Sequence, residues 1–277
     1  MLVAALIYTR GWYRLRAALP NEIPGWRLVG FLCGLSVVWI ALASPLAMLH
    51  NASLTIHMTQ HLLLMAVAAP LLLLGSPALP LRGGLPAHLC RLTDGTLDTR
   101  IVQTLGRVLT YPALCWLAAT AAVLGWHVPA AFALGVQSHG WHAAQQASFF
   151  AAGLLFWWPV VQPWPSIARW PAWSVPVYLF AATLPCDALS AFLAFCDRVV
   201  YPCYESGPLL FSMSPLQDQA SAGALMWVSI TLVYLIPAVV VTMHLLSPGA
   251  ASPEAFSRAN WRPVTGRFRR GFEVEGL

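Results

Sequence analysis

Long stretches of this 277-residue chain carry no charged side chain. Charge is absent from Leu28 to Leu81, from Val108 to Ala168 and from Gln219 to Pro253. A membrane-crossing helix needs about 20 mainly apolar residues, so the first two runs each have room for two spans. The pattern predicts six full spans, at roughly 28–48, 56–79, 111–134, 140–162, 173–196 and 220–246. The apolar N-terminus, Met1 to Thr9, reads as a short first helix, which gives an all-α, polytopic transmembrane bundle of seven-span topology. Pro45, Pro70, Pro129, Pro159, Pro185 and Pro237 fall inside or at the ends of these runs and predict kinks that a bundle tolerates.

Composition agrees with that reading, since 58% of residues are hydrophobic and 9% charged, against about 25% charged in soluble domains. All 15 basic residues are Arg, and their placement separates membrane orientation from nucleic-acid binding. With the N-terminus outside, the inner segments hold Arg10, Arg14, Arg16, Arg27, Arg82, Arg91, Arg100, Arg107 and Arg169, together with five Arg of the tail. Arg198 alone falls outside, as the positive-inside rule requires. The Arg therefore meet lipid headgroups, and no separate basic domain exists to bind nucleic acid. Residues 1–248 form the bundle, and 249–277 form an Arg-rich cytoplasmic tail with too little apolar surface for a core. The sequence shows no internal repeat, nucleotide loop, GxSxG elbow or HExxH helix.

The same topology assigns the histidines a depth, and most of them share one. His57 and His61 open the third helix, His127 lies near the outer end of the fourth, and His139 and His142 open the fifth. His50 occupies a short outer connection, where loop and site readings are equally open, while His88 and His244 fall at the inner face. Spacings of i, i+4 for His57 and His61 and i, i+3 for His139 and His142 put each pair on one helix face. A single interfacial histidine meets water and headgroups, but five on one side with two helical pairs point to a metal or proton-handling site. Imidazole suits copper, zinc, iron and nickel.

Asp218 and Gln219 begin the last helix on the same side, and Asp218 fits either a helix N-cap or a carboxylate that accepts a ring N–H and fixes a ligand's tautomer. Asp187 sits within the sixth span, where a carboxylate costs about 3 kcal/mol, so a polar cavity, a partner or a proton is expected for it. Cys196 and Cys203 are possible soft ligands or a disulfide pair, and Met58 is a soft ligand in principle, although methionine in apolar helices mostly packs. None of the six cysteines forms a CxxC or CxxCH motif.

His57-Met58-Thr59-Gln60-His61, followed by Ala69-Pro70-Leu71-Leu72 and Gly75, resembles one membrane family, the polytopic CtaG-like cytochrome c oxidase assembly factors associated with caa-type oxidases. Tyr8-Thr9-Arg10-Gly11, Trp126-His127-Val128-Pro129, His139 to His142 with Phe149, Phe156-Trp157-Trp158-Pro159, Tyr201 to Tyr204, and Asp218-Gln219 with Gly223, Met226 and Trp227 follow in family order. The shortened N-terminus and the cysteines at 186, 196 and 203 depart from it. The resemblance implies a bacterial cytoplasmic-membrane protein, not an enzyme, that helps supply copper to a haem-copper oxidase, with oxidase subunits or copper chaperones as partners. It makes copper the expected metal at His57, His61, His127, His139 and His142, with zinc served nearly as well by such ligands.

Two rival functions remain. A haem-bearing redox protein is disfavoured because paired imidazoles on one helix suit a compact ion better than a porphyrin. A copper transporter needs a polar route inward from Asp187, and the sequence offers only isolated Ser and Thr there.

Overall fold

The computed structural model describes residues 1–18, 24–86, 89, 104, 106, 108–163, 170–205 and 213–247. The tail expected from 249 and most of the inner loop expected between 80 and 110 lie outside the described residues. Among those described, every regular element is helical. The order is α1 (Leu2–Ala18), α2 (Gly25–Ala43), a one-turn α3 (Pro45–Met48), α4 (Leu54–Leu62), a π-helical segment (Leu63–Ala68), α5 (Ala69–Leu74) and α6 (Ala78–Gly84). There follow α7 (Pro112–His127), α8 (Pro129–Gln137), α9 (His139–Val161), α10 (Ser174–Phe195), a 3₁₀ turn (Pro202–Tyr204) and α11 (Pro215–Leu246).

Among the described residues four stretches are long and apolar enough to cross a membrane: Gly25–Met48, Leu54–Leu74, Ser174–Phe195 and Pro215–Leu246. The span expected at 111–134 is instead two helices bent by 77° at Val128. Pro129 explains the break, because it restricts Val128 to extended backbone and withholds the N–H that would continue α7. Counting that pair as one gives five. The 23-residue α9 has the length of a span, but His139, His142, Gln145 and Gln146 make its first two turns polar. The first helix runs to Ala18, nine residues beyond the segment expected, and carries Arg10, Arg14 and Arg16 along its second half.

Polarity is arranged inside out. Trp39, Phe180, Leu184, Phe195, Val228 and Ile236 face outward, while His57, Gln60, Gln145 and Gln219 are at most 1% exposed. Such a molecule is stable only where its surroundings are apolar. Lipid removes the hydrophobic drive for helices to associate, so close packing has to supply it. Gly223 of α11 rests on the α10 backbone, where an added Cβ would come within 2.6 Å of the Ala194 nitrogen. Gly11 of α1 meets the Pro80 carbonyl of α6 still more closely.

The π-helical segment follows from a proline. In its wide i→i+5 register the Ala69 N–H reaches the Leu64 carbonyl, and the next bond would run from residue 70 to Met65. Pro70 has no N–H to give. The Trp157 indole of α9 donates to the Met65 carbonyl instead, at 3.0 Å, and so ties α9 to this helix.

Candidate metal centre

The site begins with the capping of α4. Ser53 is its N-cap, and its hydroxyl accepts from the Ile56 N–H. The remaining free donors are taken by Asp218, 164 residues away from Leu54 in sequence. Its carboxylate accepts from Leu54 N at 2.6 Å, Thr55 N at 3.2 Å, Ser53 Oγ at 2.9 Å and Thr55 Oγ1 at 2.6 Å. A negative charge on those amides also opposes the positive end of the α4 dipole. Asp218 is not the cap of its own helix: Ser214 and Gln217 form that capping box. Its carboxylate bonds to residues 53–55, so it acts on the histidines by fixing the rotation and depth of α4.

That rotation turns His57 and His61 inward, at 0% and 6% exposure. Their ring centroids lie 4.5 Å apart. From α9, His142 brings its ring to 5.4 Å from His57 and stacks on His50 at 4.0 Å, with His50 in turn 6.1 Å from His57. The loop histidine therefore belongs to the group. His127 stands apart from this run and touches the same two phenyl rings, lying 6.5 Å from both Phe132 and Phe149, which contact His57 and His61 at 4.9 and 4.2 Å. His139 is exposed on the rim of an adjoining cavity. Among the described residues no group of three or more His, Cys, Asp or Glu is arranged to hold one metal ion.

What distinguishes these rings is the state of their nitrogens. Both nitrogens of His57, both of His61 and Nε2 of His127 are buried without a well-formed hydrogen bond, although the Gln145 carboxamide lies beside His57 and that of Gln146 beside His61. Buried polar atoms are normally satisfied, and an orphan costs about 1–3 kcal/mol. His127 Nδ1 lies 2.6 Å from the Val123 carbonyl, which can only accept, so the proton is on Nδ1 and the free Nε2 carries a lone pair. His50 Nδ1 is tied in the same way to the Ala47 carbonyl at 2.6 Å.

Three glutamines complete the group and were not identified from sequence. Gln60 donates to the Ala41 carbonyl at 3.2 Å and accepts from Gln146 Nε2 at 3.1 Å, which also lies 3.0 Å from His142 Nε2. Gln145 is buried against Gly135, where any Cβ would come within 2.7 Å of its carboxamide oxygen. Gln146 stands at i+4 from His142, a signal the helical spacing carried. Gln219 pins the loop after α10, accepting from Val200 N at 2.7 Å and donating to the Arg198 carbonyl at 3.0 Å. In that loop Tyr201 donates to the His127 carbonyl and Tyr204 to the His50 carbonyl, at 3.0 and 2.9 Å.

The other candidates sit elsewhere. Met58 is buried in an apolar cluster with Leu54, Phe132, Leu193 and Met226. Cys196 and Cys203 are free thiols, and burial pushes the Cys203 thiol up, away from the thiolate a metal needs. Asp187 keeps one buried carboxylate oxygen without a partner in α10.

Fold and site together define a polytopic helical membrane protein with a buried imidazole and carboxamide cluster at one end. The sequence model of the cytochrome c oxidase caa3 assembly factors matches residues 6–247, and the chain belongs to that family. Two uncharacterized mycobacterial proteins, Mb0105 of Mycobacterium bovis and MT0111 of Mycobacterium tuberculosis, are each 25% identical over 235 residues, covering 82% of this chain. The chain spans 35% of the length of these curated relatives. No solved structure matches.

Proposed function

We propose that this protein binds copper as cargo at the histidine cluster and passes it to a haem-copper oxidase during assembly, acting without catalysis. One observation carries the reading: buried imidazole nitrogens on α4 and at the end of α7 make no well-formed hydrogen bond, with the Gln145 and Gln146 carboxamides beside the α4 rings. A structure bears that cost when the atoms serve a ligand. All-nitrogen donors suit copper and serve zinc nearly as well, and the family's role in oxidase assembly favours copper. Small ring rotations are needed, since the rings lean on one another instead of around a point.

In this reading α1, α2, α4–α5, the bent α7–α8 pair, α9, α10 and α11 are the seven spans. The N-terminus and the histidines lie outside, and the Arg lie in the cytoplasm. Oxidase subunits or a copper chaperone are the partners on the outer side. The test is elemental analysis of purified protein loaded with Cu(I) or Zn(II). Stoichiometric copper, lost in the His57→Ala/His61→Ala variant, is expected. Absence of copper from the wild type, or copper unchanged in the variant, would overturn the proposal.

A further inference from the structure

Beside the cluster lies a cavity of about 450 Å³, lined by His50, His139, His142, Gln60 and Gln146 on its polar side and by α2 residues such as Val38 on its apolar side. His57 and His61 lie behind this lining, and His142 belongs to both places, stacked on His50 and 5.4 Å from His57. This ring therefore joins the cavity lining to the interior histidines.

The hydrogen bonds around His142 have one consistent direction. The Ala41 carbonyl can only accept, so the Gln60 amide nitrogen must face it, which turns the Gln60 oxygen toward Gln146. Gln146 must then present its own amide nitrogen, which lies 3.0 Å from His142 Nε2. An amide N–H₂ only donates, so His142 Nε2 accepts and its proton is on Nδ1. The Nε2 lone pair is already engaged by Gln146.

Resting on the copper reading above, we propose that His142 is the exchange ligand between cavity and interior, and that the Gln60–Gln146 pair is a latch holding it out of coordination until metal displaces it. Gln60 and Gln146 are positioning residues here. The latch competes with the metal for one lone pair, so affinity is lower and release faster than the ligands alone would give. Removing one neutral hydrogen bond changes such a balance by about fivefold.

The experiment uses full-length protein in detergent, with Cu(I) removal by a chromophoric chelator followed in time. Gln146→Met keeps the volume without the donor, and release about fivefold slower than wild type is expected. Gln60→Met removes the acceptor that orients Gln146 and should slow release in the same direction, by less. The gain should vanish when His142→Ala is added to Gln146→Met. In the metal-free protein, ¹⁵N spectra of the His142 ring should show the proton on Nδ1, with the Nε2 resonance shifting in Gln146→Met. A wild type that binds no copper overturns the underlying reading. Copper bound normally with both release rates unchanged, or a proton found on Nε2, overturns the latch alone.

Discussion

The two ends of α9 solve the problem of polar groups in a membrane in opposite ways. Toward its C-terminus the buried rings are Phe156 and Trp157, and Tyr178 and Trp157 hand their donors to the Phe156 and Met65 carbonyls at 2.9 and 3.0 Å. Toward its N-terminus it presents His142, Gln145 and Gln146, and the facing α4 presents histidines whose nitrogens make no well-formed hydrogen bond. Trp12, Trp116 and Trp170 also keep unpartnered indole N–H groups, but each is a single donor, whereas the histidine end gathers donors and acceptors together. An orphan by itself is a packing cost. Several that converge, on a helix held by the Asp218 carboxylate, set this end apart from the rest of the bundle.

The strongest way to break that contrast is to release α4. Asp218→Ala leaves two backbone amides and the Ser53 hydroxyl without their acceptor, while the Thr55 hydroxyl keeps the Asp218 backbone carbonyl at 3.1 Å. Hydrogen bonds to charged groups are worth about 1.5–3 kcal/mol each and do not add fully, so a loss of about 4 kcal/mol is expected. Unfolding of the purified variant measures it, and copper binding should fall with it. Asp218→Asn keeps part of the acceptor and should lose about half as much. If either variant unfolded like wild type, the carboxylate would not be what sets α4.

At the aromatic end the effect is smaller and confined to stability. Trp157→Phe takes the indole N–H from a Met65 carbonyl that Pro70 cannot serve. One orphaned carbonyl costs about 2 kcal/mol. Unfolding should show that loss while copper stoichiometry stays at the wild-type value. A fall in copper would mean the two ends are coupled through the π-helical segment.

Sequence alone carried the helical class and the concentration of polarity, because charge-free runs and i, i+4 spacing are one-dimensional signals. It placed His57 and His61 on one helix face and Gln219 at the same end, while the inward direction of that face came from the packing of α4. The break at Val128 was legible only as a proline, since the 77° angle depends on how α8 packs. His50 was undecided because a loop has no periodicity, and its stacking on His142 is set by α3 and by Tyr204 holding its carbonyl. Asp218 was read as either a cap or an imidazole partner, and it caps a helix 164 residues away, a contact no local pattern encodes.

The smallest effect should also have the opposite sign. His61→Leu removes two buried nitrogens that make no well-formed hydrogen bond and leaves a side chain able to pack on Phe149, now 4.2 Å from the imidazole. Replacing an unsatisfied polar group with an apolar one of similar size recovers its desolvation cost, less the lost ring contact. The metal-free variant should therefore be more stable than metal-free wild type by about 1 kcal/mol, measured by unfolding with chelator present. In excess copper the order should reverse, because wild type gains binding free energy that the variant lacks. A site kept for packing would lose stability in both conditions. A gain without metal and a loss with it is the pattern of a residue retained for its ligand, at the expense of the fold that holds it.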